Sequence, residues 1–196
     1  MILKGISFQV YKGDKVAIIG ENGSGKSTIL DLASGFYEPN DGIIRIQGVP
    51  LNKMKVQDIR RKISVVSQKS YLFHRTIEEN INIAEEALES EVIDVCHKSG
   101  ICYEKLKETV GKDGAWLSGG EYQKIIIARA LLKKADLLFL DEANASLDAE
   151  ADAILCDLLK NNTDNRTIIF TTHRQELLKA ATKIYRLKNG NLIQEK

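Results

Sequence analysis

The run Gly20-Glu21-Asn22-Gly23-Ser24-Gly25-Lys26-Ser27-Thr28 sets glycines, a lysine and hydroxyl side chains at the spacing Gly-x-x-x-x-Gly-Lys-Ser. Gly20, Gly23 and Gly25 let the backbone fold with its N–H groups turned inward, a concave nest for an anion at the positive end of a helix. In such a loop Lys26 reaches the β- and γ-phosphates of a nucleoside triphosphate, and the Ser27 hydroxyl ligates Mg²⁺. The same run could be an ordinary glycine-rich turn capped by Ser27. Its setting separates the two readings. Val16–Ile19 is an uninterrupted apolar run, a strand buried on both faces, and Thr28-Ile29-Leu30-Asp31-Leu32 continues as a helix. Strand, glycine loop and helix start is the context that a phosphate-binding loop needs.

A second group of chemically capable residues follows the apolar run Leu137–Leu140, which ends in Asp141-Glu142. Buried parallel strands present ligands at their carboxyl ends. Asp141 can hold Mg²⁺, directly or through water, as the acidic partner of Ser27. Glu142, one residue further, suits a base that polarises an attacking water. Two acids after a strand can also simply cap the next helix. Leu117-Ser118-Gly119-Gly120-Glu121 forms a third group, with paired glycines exposing N–H groups at a helix start and Ser118 adding a hydroxyl. It reads as a second anion site or as a well-made helix cap.

The elements that must position these groups alternate along the chain. Ile6, Phe8 and Val10 alternate as a half-buried strand before the Lys12-Gly13-Asp14 turn. Pro39-Asn40-Asp41-Gly42 is turn chemistry leading to a short strand at Ile43, Ile44 and Ile46. Val56–Lys62 reads as a helix and Ile63–Val66 as a buried strand ending at Ser67-Gln68. Thr76 caps a helix with Glu79 three residues on, as in a capping box. From about Glu78 to Lys107 the pattern is helical, then Ser118 opens a long helix carrying Ile125, Ile126, Ala128, Leu131 and Leu132. A helix near Ala149–Leu159, strand Thr167–Phe170, a helix from Arg174 and two short strands around Lys188-Asn189-Gly190 complete the chain. Strands alternating with helices predict an α/β fold with a mainly parallel sheet and a small antiparallel part.

Composition narrows the classes. With 196 residues, 43 % hydrophobic and 28 % charged, the chain fits one domain with a small insertion and an ordinary core. No apolar run approaches the roughly 18 residues of a membrane span, and there is no secretory n-region and h-region. A net charge of +1 gives no basic footprint for nucleic acid or anionic lipid. Cys96, Cys102 and Cys156 lack metal-ligand spacing, and their odd count favours reduced thiols in a cytosol.

Leu117–Glu121 matches the signature sequence of ATP-binding cassette (ABC) ATPases. Essentially the whole chain is similar to that family: Gln68 after a strand resembles its Q-loop, Ala145-Ser146-Leu147-Asp148 its D-loop, and His173 its switch histidine. Taken alone, His173 would be a surface or packing residue and Gln68 a loop amide. Tyr71-Leu72-Phe73, the Thr76–Ile81 run and Thr109-Val110-Gly111 resemble the nucleotide-binding domains of exporters. The resemblance implies a P-loop NTPase domain over residues 1–196, with a helical signature subdomain inserted at about 78–116. It implies ATP binding by Gly20, Asn22, Gly23, Ser24, Gly25, Lys26, Ser27 and Thr28, with Mg²⁺ organised by Ser27, Gln68 and Asp141. Glu142, His173 and Gln68 would be catalytic. Ser118, Gly119, Gly120 and Glu121 would face the ATP of a second domain paired head to tail, with Asp148 in the D-loop.

The implied protein works at the cytoplasmic face of a membrane, coupled to a transmembrane domain, with no nucleic-acid partner. Two rivals are a soluble ABC ATPase acting on ribosomes or nucleic acid, and a truncated cassette that binds nucleotide without turnover. The chain also departs from the exporter pattern. The strand whose aromatic stacks on adenine would precede Met1, Tyr11 by its turn reads as surface, Lys112 stands where glutamate is usual, and the closing helix is absent after Lys196. The expectation is weak ATP binding with poor discrimination against GTP.

Overall fold

The computed structural model describes residues 2–67, 70–83, 87–141, 149–161 and 165–196. In chain order the elements are β1 (Lys15–Ile19), α1 (Lys26–Ala33), β2 (Arg45–Ile46), β3 (Val49–Pro50), α2 (Val56–Lys62) and β4 (Ile63–Val66). There follow α3 (Ile77–Ile81), α4 (Glu89–Lys98), α5 (Gly119–Leu132), β5 (Leu137–Leu140) and α6 (Ala149–Lys160). Last come β6 (Thr167–Thr171), α7 (Gln175–Lys179), β7 (Lys183–Lys188) and β8 (Asn191–Gln194). They fall into two compact units, one of Met1–Val65, Ala135–Glu142 and Thr163–Lys196, the other of Val66–Lys134 and Ala143–Asn162.

The first unit is built on a six-stranded sheet in the order β4-β5-β6-β1-β7-β8. β1 pairs in parallel with β6 on one side and β7 on the other, and β5 with β6. Parallel neighbours need long crossovers, which is why sequence neighbours are not sheet neighbours. Val16 to Ile19 are all buried, as a central strand covered on both faces requires. β7 and β8 form an antiparallel hairpin at the edge. Val16, Ile18, Ile29, Leu30, Phe139, Ile169 and Leu187 make the core.

Two details differ from the sequence reading. Ile6, Phe8 and Val10 are half-buried while Ser7 and Gln9 are exposed, yet no strand forms there. The three side chains pack against the core, and the Phe8 ring lies 5.4 Å from that of Tyr185. Period-two alternation reports which side chains turn inward; a strand also needs a neighbour to complete its ladder. The short strand expected at Ile43, Ile44 and Ile46 begins only at Arg45, and it turns at Gln47-Gly48 into β3. Both turn residues have positive φ, 51° and 81°, the backbone of a tight two-residue hairpin.

The second unit is helical. α3 is closed by the expected capping box: the Glu79 N–H donates to Thr76 Oγ1 at 3.2 Å, and the Thr76 N–H to Glu79 Oε2 at 2.9 Å. α5 buries residues around most of its circumference, as a helix does when α3, α4 and α6 all pack on it. A polar node links α3 and α5 to the segment before them. Asn80, fully buried, accepts from the Phe73 N–H at 2.8 Å and donates to the carbonyls of Phe73 at 2.9 Å and Thr76 at 3.0 Å. The Arg129 guanidinium donates to the carbonyls of Asn80 and Tyr71, each at 2.7 Å, and to Asn80 Oδ1 at 3.1 Å. Leu72 is fully buried, whereas Tyr71 and Phe73 on either side are 48 % and 43 % exposed, their rings edge to face at 5.2 Å. Cys96, Cys102 and Cys156 form no disulfide, and burial, then the charge of Glu78, pushes Cys96 up to about 11.

Candidate nucleotide site

β1 delivers the chain at Gly20, whose φ is +156°. A Cβ there would come within 2.5 Å of the Leu187 carbonyl oxygen on β7, so the loop can leave the sheet at this point only as glycine. Gly25 caps α1 in the left-handed region at φ +105°, and a Cβ would meet the Ile2 side chain at 2.7 Å. α1 has no side-chain cap and no acid in its first turn, so its leading N–H groups are left for a ligand.

Lys26 opens α1 and is only 4 % exposed. Its ammonium donates to the carbonyls of Gly20 at 2.9 Å and Glu21 at 3.0 Å, which folds the lysine back across the loop. Of three donors, two are engaged in this way among the described residues. Ser24 Oγ is buried without a hydrogen-bond partner among the described residues. A buried orphan hydroxyl beside the uncapped start of α1 fits an anionic ligand that would complete its bonding. Asn22, Gly23 and Ser27 are exposed, and Thr28 is half-buried.

The parallel pairing decides what shares the carboxyl edge with this loop. Leu140 registers with Phe170 and Ile18 with Thr171, so residues just past β5, β6 and β1 emerge side by side. Asp141 follows β5 directly, and Oδ1 accepts a hydrogen bond from the Thr171 hydroxyl at 2.9 Å. Beyond it Thr172 is buried, its hydroxyl accepting from the Arg174 N–H at 3.1 Å, and His173 is exposed. A carboxylate oriented by a hydroxyl, beside a lysine-bearing loop, is a donor set suited to Mg²⁺ with a triphosphate. Gln68, Glu142 and Asp148 lie outside the described residues.

In the helical unit Ser118 caps α5 through a second capping box. The Glu121 N–H donates to Ser118 Oγ at 3.2 Å, while the Ser118 N–H and hydroxyl both donate to Glu121 Oε2 at 3.0 Å. Ser118 and Gly119 are exposed and Gly120 is buried. Lys105 donates to the other carboxylate oxygen at 2.9 Å. That ammonium first, then the Ser118 N–H and hydroxyl, hold the Glu121 carboxyl down at about 2. The cap reading of Ser118-Gly119-Gly120 is therefore realised by its own side chains, with the glycines beside it. Tyr11 is exposed as expected, with the Lys183 ammonium 4.5 Å above its ring centroid.

Sequence reasoning assigned no part to Thr171 or Lys105. For Thr171 a signal existed, a hydroxyl at the carboxyl end of a strand neighbouring the Asp141 strand. For Lys105 there was none, because its partner is far along the chain.

The family described as ABC transporter matches residues 3–145. The chain is 36 % identical over 200 residues to an ATP-dependent lipid A-core flippase of Chromobacterium violaceum, covering 98 % of this chain and 34 % of that protein. It is 35 % identical over 201 residues to human ATP-binding cassette sub-family B member 5, covering 99 % of this chain and 16 % of that protein. Among solved structures, a bacterial Atm1-family ABC exporter with ATP bound superposes with a TM-score of 0.91 at 33 % identity, over 98 % of this chain and 35 % of that one. The chain thus spans about a third of the length of the flippase and the Atm1-family exporter. With the family matched over residues 3–145 and relatives 35–36 % identical across 98–99 % of its length, the chain belongs to the ABC transporter family as an ATPase domain.

Proposed function

We propose that this ATPase domain powers an ABC exporter, acting as one of two nucleotide-binding domains docked on a transmembrane domain at the cytoplasmic face of a membrane. The observation that carries this is the match of 98 % of the chain, at a TM-score of 0.91, to an exporter with ATP bound. The exposed pair Tyr71 and Phe73 adds support, since a surface of this kind suits docking.

In this reading Lys26 and the N–H groups of Gly20, Asn22, Gly23, Ser24, Gly25, Ser27 and Thr28 hold the phosphates. Ser27, Asp141 and Gln68 hold Mg²⁺, which when bound neutralises charge on the β- and γ-oxygens. Glu142 takes the proton of the attacking water or orients it, and His173 donates to the γ-phosphate. Ser118, Gly119, Gly120 and Glu121, at the start of α5 just after a helical subdomain of about 78–116, face the ATP held by a partner's loop. Asp148 meets that partner beside it. Two domains pair head to tail around two ATP molecules; closure and release drive the membrane domain. Most of the rate gain is positioning and electrostatics, with little covalent work for the protein. No nucleic acid enters this scheme.

Expression of the tagged full-length gene product tests it. The protein should fractionate with membranes and release phosphate from ATP in the steady state. Recovery with ribosomes, or nucleotide binding without turnover, would overturn the exporter reading.

A further inference from the structure

The Ser118 hydroxyl carries a single hydrogen, and that hydrogen is committed to Glu121 Oε2. The same oxygen takes the Ser118 N–H, while Oε1 takes the Lys105 ammonium at 2.9 Å. One carboxylate is therefore clasped between the capping serine and a lysine at the end of the short 3₁₀ turn Tyr103–Lys105. An anion in the first turn stabilises a helix through its dipole. A triphosphate brought to the same helix end meets that anion as a like charge.

We propose that Lys105 is a positioning residue for the signature, holding the Glu121 carboxylate against Ser118 and cancelling the charge that it would otherwise present to ATP on the partner domain. This rests on the reading of Ser118–Glu121 as the partner-facing contact. Glu121 is held ionised at about 2, so the charge to be cancelled is a full one at any physiological pH. Lys105 does not itself touch the nucleotide in this scheme; it acts through Glu121. Because a head-to-tail dimer uses the contact twice, an effect of roughly threefold per site, the scale of an exposed charge pair, becomes about tenfold for the dimer.

The test is sedimentation of the chain carrying Glu142→Gln, with ATP and Mg²⁺, reading the protein concentration at half-dimer. Lys105→Ala should raise that concentration roughly tenfold, and adding Glu121→Gln should bring it back to within about twofold of the parent. Lys105→Arg should behave as the parent. The loss in Lys105→Ala should deepen at low ionic strength and fade in high salt. A merely structural ion pair would lower the thermal midpoint of Lys105→Ala in step with its dimer affinity, whereas this role moves the half-dimer concentration and leaves the melt in place. Lys105→Ala indistinguishable from the parent, or a double variant as weak as Lys105→Ala, overturns the proposal while leaving the dimer reading intact. A parent that stays monomeric with ATP at every protein concentration overturns the partner-facing reading, and this proposal with it. Thermal melts of each variant exclude unfolding as the cause.

Discussion

The Thr171 hydroxyl donates to Asp141 Oδ1 at 2.9 Å, so the residue that ends β6 orients the carboxylate that follows β5. The two meet because β5 and β6 are parallel neighbours in register, Leu140 beside Phe170. Loss of a hydrogen-bond partner behind a metal-ligating carboxylate typically costs 10- to 100-fold in metal affinity or activity. Thr171→Val keeps the shape and removes the donor. It should raise the Mg²⁺ concentration needed for half-maximal phosphate release by roughly tenfold or more, with ATP-dependent protection from urea weakened in parallel. Unchanged Mg²⁺ dependence would exclude Asp141 as a ligand that Thr171 orients.

Glu142 follows Asp141 by one residue and is the base in the proposed function. Glu142→Gln should keep ATP binding and lower turnover by about 10²- to 10⁴-fold, the usual scale of general base catalysis. Phosphate release near that of the unsubstituted chain would remove the assignment.

Asn80 is fully buried and satisfies both the N–H and the carbonyl of Phe73. Asn80→Ala leaves those groups and one arm of the Arg129 guanidinium without their partner, on top of a small cavity. The expected loss is about 2–4 kcal/mol of unfolding free energy, measured by urea titration. A loss under about 0.5 kcal/mol would mean that water or Arg129 replaces the amide without cost.

Asp14 ties the start of β1 to β7. Burial pushes its carboxyl up, but the Lys183 ammonium at 2.6 Å and the Tyr11 N–H at 2.8 Å outweigh it, and the net pKa lies below 3.8. The carboxylate therefore adds stability that is fully present above the ordinary carboxylate range and is lost as pH falls through the depressed value. Asp14→Asn should cost about 1–2 kcal/mol at pH 7, with the difference from the unsubstituted chain shrinking below about pH 4. Equal differences at pH 7 and pH 3 would show that the effect is steric.

The turn from Gly20 to Gly25 and the helix start at Lys26 were legible because they depend on local spacing, with glycines where the backbone takes positive φ. α2 and β4 were legible with their full bounds, and β5 likewise, since an apolar run buried on both faces has no competing reading nearby. The β2–β3 hairpin was not, because Gln47 is no usual residue for positive φ and its conformation is imposed by Gly48 beside it and the strands around it. The Lys105–Glu121 pair was invisible for a different reason: only the folded path of the segment after α4 brings the lysine to the start of α5. Gln68, Glu142 and Asp148 stand on sequence spacing and family resemblance.

Arg129 grips the carbonyls of Tyr71 and Asn80 from the same helix that Ser118 caps, about three turns or 16 Å away. Along its axis a helix yields little, since any extension must stretch its hydrogen bonds. The backbone of Tyr71 is therefore tied, through Arg129, to the same helix that Ser118 caps. In engineering terms the aromatic segment is a handle and α5 the shaft, with Arg129 as the pin between them. Pulling that pin frees the aromatic segment from the helix, while the Ser118–Glu121 cap about three turns away keeps its own hydrogen bonds.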